Sequence, residues 1–94
     1  MSTYLILVRF TQLGHQNMRE NMSGMEEMKA AFEATGARLK EMYGLMGRYD
    51  AAFIVEGPDD LSILKANAAL TSKGYFTTET LRAFGADEIS KLMS

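Results

Sequence analysis

The sequence predicts an α+β protein of the ferredoxin-like type, with the element order βαββαβ and a short C-terminal helix. Three observations predict it: an uninterrupted apolar run near the amino terminus, two later segments with helical spacing of apolar residues, and a glycine-centred turn between two strand-like segments. With right-handed crossovers, this order gives a four-stranded antiparallel sheet with both helices on one face.

The first strand is predicted at residues 4–10. Apart from Arg9, this segment is continuously apolar, which is typical of a strand that is covered on both faces. It therefore belongs in the middle of the sheet, between the third and fourth strands. Residues 11–14 follow as a turn.

The first helix is predicted from apolar residues that recur every three or four positions. They are Met18, Met22, Met25, Met28 and Phe32. Methionines at this spacing usually fill a core, although they can also form an adaptable binding surface, and we interpret them as core. Gly36 ends the helix.

A hairpin is predicted around Gly47, which can adopt the positive φ angle that a tight reversal requires. Residues 39–46 form its first arm, and residues 49–56, rich in aromatic and β-branched side chains, form its second arm. The charges in residues 38–43 suit an edge strand, because charged side chains oppose pairing with another chain.

The second helix is predicted to begin at residues 57–60, where proline and two acidic residues favour a first turn, and to end at Gly74. Its broad apolar stripe consists of Leu61, Leu64 and Ala68, flanked by Ile63, Ala66 and Leu70. Residues 75–84, rich in threonine and aromatic side chains, are the fourth strand. Residues 87–93 form a terminal helix of about two turns, which is too short to be stable unless it docks.

Composition limits the possible functions. The 94 residues, of which 47% are hydrophobic, predict a single domain over residues 1–94. The net charge is −2 and the basic residues are scattered, so we expect no nucleic-acid partner. The apolar run at residues 4–8 is far shorter than the ~20 residues of a membrane span, and we expect no membrane association. The absence of cysteine fits a reducing compartment, and we expect a cytoplasmic protein.

The predicted sheet has a face that the helices do not cover. Its strands are apolar on both sides, and monomers rarely expose an apolar patch of several hundred Å². A second copy covers such a patch with one self-complementary surface. The sequence therefore predicts a homodimer that is built sheet against sheet.

Four segments resemble a known family. They are residues 4–11 with Gly14, residues 46–50 (M-G-R-Y-D), residues 55–60 (V-E-G-P-D-D) and residues 78–84 (T-E-T-L-R-A-F). Together they resemble the GYD-domain family of small, mostly bacterial proteins, named for a Gly-x-Tyr-Asp motif. The resemblance spans nearly the whole chain and implies a dimeric α/β barrel, but it implies no activity. Looser fold relatives include cofactor-free monooxygenases, small isomerases and ligand-sensing domains.

This chain also departs from the pattern of that family. Two aromatic residues, Tyr75 and Phe76, follow Gly74 where smaller residues are common, and His15 and the methionine-rich first helix are individual to this sequence. A pocket shared by the family is therefore expected to have a different shape here.

Four residues form the candidate ligand-binding site: Arg9, His15, Tyr49 and Asp50. In an antiparallel sheet the end of the first strand lies beside the start of the third, which brings Arg9 near Tyr49 and Asp50. The loop that carries His15 leaves from the same end. We predict an Arg9–Asp50 ion pair beside Tyr49, facing a cavity. The same register places Leu5 opposite Ile54, Leu7 opposite Ala52 and Ile6 opposite Phe53.

This constellation has a functional and a structural interpretation. In the first, arginine holds a ligand carboxylate or an enolate, and aspartate or histidine moves a proton. In the second, the ion pair only fixes the register of the strands. Tyr49 is a hydrogen-bond donor to a ligand or an amphipathic rim residue. His15 matters chiefly because imidazole titrates near neutral pH. One histidine and no cysteine predict no metal site, and no motif predicts a cofactor.

Three functions remain open at this point. The favoured one is a small-molecule-binding homodimer of the GYD family without a demonstrated activity. The second is a cofactor-independent enzyme, similar to an isomerase or a monooxygenase, that acts on an enolisable or aromatic substrate in the barrel cavity. The third is a structural or assembly protein. The sequence does not decide whether the protein is an enzyme.

Overall fold

The fold is a four-stranded antiparallel sheet with helices. In the computed structural model, which describes residues 1–16 and 25–94, the strands are β1 (Ser2–Phe10), β2 (Arg38–Gly44), β3 (Ala51–Gly57) and β4 (Phe76–Ala83). The helices are α1 (Gln12–Gln16), α2 (Met25–Glu33), α3 (Asp60–Thr71) and α4 (Ala86–Met93). The strand order β2-β3-β1-β4 confirms the predicted ferredoxin-like arrangement with β1 between β3 and β4. None of the helices in these two ranges is long and apolar enough to cross a membrane.

One face of the sheet, here called the helix face, carries the core. Side chains alternate between the two faces of a strand, and Tyr4, Ile6 and Val8 of β1 are the buried set. They pack with residues of the neighbouring strands and of both long helices. The other core residues include Phe53, Val55, Met28, Phe32, Ile63 and Ala66. The burial of Met28 and Phe32 confirms that these two residues of the stripe belong to the core. Met18, Met22 and the side chain of Met25 lie outside the described part of the chain.

The opposite face of the sheet, here called the open face, is also apolar. Leu5 pairs with Ile54 on β3 and with Leu81 on β4, and directly paired residues share a face. Leu7 and its partner Ala52 extend this patch. The predicted register of β1 against β3 is therefore confirmed, and both faces of the central strands are apolar.

The turns differ from the predictions in detail. The predicted turn at residues 11–14 runs into the short helix α1, where the hydroxyl of Thr11 accepts a hydrogen bond from the Gly14 N–H at 3.1 Å. In the hairpin, Gly47 has a φ of +105°, as predicted. The arms are shorter than predicted because the Leu45 N–H closes the turn on the carbonyl of Asp50 at 2.9 Å.

Edge strand β2 is irregular. The pairing of β2 with β3 shifts register between Leu39 and Glu41, which forms a bulge. Beside the bulge, Lys40 forms an ion pair with Glu56 at 3.8 Å.

Helix α3 buries a different set of residues from the one that the sequence predicts as its apolar stripe. It begins at Asp60 rather than at Pro58, because the carboxylate of Asp59 caps it by accepting the Ser62 N–H at 2.8 Å. Its buried residues are Ile63, Ala66 and Asn67. The side chains of Leu61 and Leu64 are 59% and 63% exposed. Both stripes have helical spacing, so periodicity alone did not separate them.

Candidate functional site

Asp50 binds the backbone of β1. One of its carboxylate oxygens accepts a hydrogen bond from the Phe10 N–H at 2.7 Å, and its own N–H donates to the carbonyl of Val8 at 2.8 Å. Arg9 is exposed, and among the described residues it forms no ion pair with Asp50. The predicted Arg9–Asp50 pair is therefore wrong, because the backbone donor at the end of β1 engages this carboxylate.

Tyr49 joins the start of β3 to β4 across the end of β1. Its hydroxyl donates a hydrogen bond of 2.6 Å to the carboxylate of Glu79. This hydrogen bond, with some desolvation, raises the pKa of Tyr49, while the positive charges of Arg48 and Arg9 oppose the rise. The guanidinium of Arg48 lies 6.0 Å from the centre of the Tyr49 ring. Arg9, Tyr49 and Glu79 are here called the rim cluster.

His15 lies apart from the rim cluster. Its ring packs edge-on against Phe10, with 5.6 Å between the ring centres. Phe10 packs against the core on the helix face, and the adjacent Arg9 therefore belongs to the open face. The structure thus places His15 and Arg9 on opposite sides of the sheet end.

The rim cluster is suited to binding more than to proton transfer. Tyr49 with a raised pKa stays protonated at neutral pH and donates to Glu79. The carboxylate of Asp50 accepts a backbone N–H, and the His15 ring packs against Phe10. In the ranges 1–16 and 25–94, no three histidine, cysteine, aspartate or glutamate side chains are grouped so that they could hold a metal ion. Glu79 was noticeable in the sequence as a charge on the fourth strand, but only the fold shows its contact with Tyr49.

A concave feature lies on the helix face, between α3 and the edge strand β4. This α3–β4 groove has a volume of about 830 Å³, and Leu61, Leu64 and Ala68 form part of its lining. At one end, the hydroxyl of Tyr4 donates to the carboxylate of Asp60 at 2.5 Å. Burial, followed by this hydrogen bond, raises the pKa of Tyr4 and keeps the hydroxyl a donor.

Sequence reasoning did not find this groove. Its apolar residues were assigned to the stripe expected to cover the sheet. One signal in the sequence could have indicated it: α3 has more apolar residues than one buried stripe requires.

Comparison with known proteins identifies relatives in sequence. The family model of the GYD domain matches residues 4–93. A protein of the bacterium Thermus thermophilus, named glutamine synthetase and cystathionine beta-lyase binding protein, is 31% identical over 94 residues. The aligned region covers 98% of this chain and 99% of that relative.

Two solved structures resemble the fold. The crystal structure of FFRP-DM1 matches with a TM-score of 0.57 and 22% identity, over 89% of this chain and 100% of the other. The crystal structure of TTHA0845 from Thermus thermophilus matches with a TM-score of 0.51 and 22% identity, over 92% and 96% of the two chains. At this identity the likeness shows the fold alone.

Proposed function

This chain belongs to the GYD-domain family, and from that premise we propose that it is a homodimeric binding protein whose partner is a metabolic enzyme. Two copies pack with their open faces together, and the dimer presents the helix faces and the rim clusters to the partner. In this proposal the protein acts in the cytoplasm, where such enzymes work.

The observation that carries the homodimer is the apolar open face. Leu5, Leu7 and Ile54 are half-buried in the single chain, and Leu81 is 41% exposed. Packing against an identical face removes these side chains from water, which favours association by roughly 25 cal/mol for each Å² of apolar surface. The charged and polar rim cluster then lies at the border of the interface, where polar residues usually lie.

The support for an enzyme partner comes from the relative. That protein is named for binding glutamine synthetase and cystathionine beta-lyase, and its similarity to this chain extends over nearly the full length of both. The two corresponding enzymes of the host organism are therefore the first partners to test. In this role the protein needs no catalytic groups of its own.

A second candidate function is the binding of a small molecule between the two sheets. The observation that favours it is the rim cluster, in which Tyr49 and Glu79 are hydrogen-bonded beside Arg9. A ligand carboxylate that reaches this end of the open face would meet the Arg9 guanidinium. The enzymatic alternative has less support, because the Asp50 carboxylate is engaged by the Phe10 N–H and His15 lies on the other side of the sheet end.

The homodimer is tested with Leu81→Lys, which places a charge in the apolar patch of the open face, next to Leu5. The exposure of Leu81 in the single chain allows the variant to fold. Light scattering coupled to size exclusion should give a dimer mass for the wild type and a monomer mass for Leu81→Lys. The matched control is Leu64→Lys on the helix face, which should remain dimeric. A monomeric wild type at micromolar concentration would contradict the homodimer.

The enzyme partner is tested separately by isothermal titration of the purified dimer into host glutamine synthetase and into host cystathionine beta-lyase. We expect saturable binding to at least one of them at micromolar concentration. Absence of heat and of co-elution with both enzymes would refute the proposed partner class, whatever the result of the dimer test.

A further inference from the structure

We propose that the α3–β4 groove is a second binding site, for a small and largely apolar molecule that carries an N–H donor. The groove lies on the helix face, away from the proposed dimer interface, so the site does not depend on the homodimer. Its volume of about 830 Å³ is within the range of small-molecule pockets.

The apolar wall of the groove is made of side chains that the core does not use. Leu61 and Leu64 stand one turn apart on α3, and Ala68 continues the same direction one turn later. These three residues are exposed, whereas Ile63 and Ala66 of the same helix are buried in the core. The wall is therefore available to an apolar molecule that does not displace any part of the core.

Asn67 supplies the polar anchor at the floor of the groove. Its side chain is buried, with 8% of the residue exposed, and its Nδ2 donates to the hydroxyl of Thr80 at 2.5 Å. No described residue donates to its Oδ1. A buried carbonyl oxygen without a donor is unfavourable. If the Asn67 amide turns toward the groove, a ligand N–H can donate to this oxygen and form a hydrogen bond that the chain does not make.

The other end of the groove also favours a donor on the ligand. The Asp60 carboxylate lies seven positions before Asn67 on α3, about 10 Å away along the axis, and it accepts from Tyr4. The Arg82 guanidinium at this end is already engaged, since it donates to the Thr3 carbonyl at 3.3 Å and pairs with Glu88 at 3.4 Å. At this end of the groove the Asp60 carboxylate therefore offers an acceptor to a ligand N–H.

The test compares two probes that differ in one group. Indole has an N–H, and benzofuran has an oxygen in its place within the same ring frame. Titration of each into the isotope-labelled full chain, followed by NMR, should show saturable shifts of residues that line the groove. Indole should bind about fivefold more tightly than benzofuran, the effect of about one hydrogen bond. Equal affinities, or no saturable shift with either probe, would overturn the proposal.

Two variants locate the binding. Asn67→Leu should retain both probes but remove the preference for indole. Leu64→Lys, at an exposed position that tolerates the charge, should weaken both probes at least fivefold, so the proposal stays testable if Asn67→Leu does not fold. Met46→Lys adds the same charge at a fully exposed position in the hairpin turn, away from the groove, and should leave both affinities unchanged. Unchanged binding of the probes to Leu64→Lys would contradict the site. The homodimer is tested separately, by the mass of Leu81→Lys in light scattering.

Discussion

Asp50 binds a backbone N–H through its carboxylate, rather than the predicted ion-pair partner Arg9. It is the last residue of the segment G-R-Y-D, and its carboxylate holds the Phe10 N–H where β1 ends. In the same segment, Gly47 makes the turn and Tyr49 reaches Glu79 on β4. The motif therefore connects the hairpin of β2 and β3 to β1 through Asp50 and to β4 through Tyr49.

We expect Asp50→Ala to destabilise the fold by about 1.5–3 kcal/mol, because hydrogen bonds to charged groups contribute about that much. The free energy of unfolding from urea denaturation measures the loss. Asp50→Asn is the matched control: it keeps an acceptor for the Phe10 N–H and should cost less than about half as much. Equal losses in the two variants would show that the charge, and not the hydrogen bond, stabilises the hairpin.

For the helices and strands, the sequence predicted the type of each element well. It predicted less well which side of an element is buried. The strands and helices were visible because their apolar residues follow periods of about two and about 3.6. On α3, however, apolar residues lie on two sides, and only the position of the sheet selects Ile63 and Ala66 for the core.

The candidate site was predictable to the same limited degree. The register of β1 against β3 was correct, and it brought Arg9 and Tyr49 to one end of the sheet. The partners of the polar groups were not predictable, because the competing donor to Asp50 is a backbone N–H that every sequence contains. The contact of Tyr49 with Glu79 depends on the pairing of β1 with β4, which no local pattern fixes.

The packing of α1 against the start of β4 depends on Gly14. A Cβ atom at this position would lie 2.2 Å from the carbonyl oxygen of Tyr75, which is backbone and has little room to move. We therefore expect Gly14→Ala to lower the free energy of unfolding by about 3 kcal/mol, as overpacking does.

The control is Gly44→Ala in β2, where a Cβ would meet no atom within 4 Å. That variant should change stability by no more than about 0.5 kcal/mol. Urea denaturation of both variants makes the comparison, and a Gly14→Ala protein as stable as Gly44→Ala would show that α1 shifts without cost.

The whole molecule is thin for its length. Its principal extents are 50 × 29 × 17 Å, as expected for one layer of helices on one sheet. The residues of α4 are all exposed, among them Ile89 at 50% and Leu92 at 83%. The single chain thus leaves apolar surface uncovered on the open face and on α4.

If two copies form the stable unit, stability depends on protein concentration. We expect each tenfold increase in concentration to stabilise the folded dimer by about 1.4 kcal/mol per mole of dimer, which raises the thermal midpoint. Calorimetric scans over a hundredfold range of concentration measure this shift. Leu81→Lys should show a midpoint that does not move, and a wild type with a constant midpoint would argue against the proposed assembly.

The bulge in β2 affects whether further chains can pair with this edge of the sheet. A regular outer strand would offer its N–H and C=O groups to further chains without limit, but here Arg38, Lys40 and Glu41 and the local shift of register interrupt that ladder. Pairing of further chains along the β2 edge is therefore disfavoured. If two copies pair through the open face as proposed, this edge therefore does not extend the dimer into longer arrays.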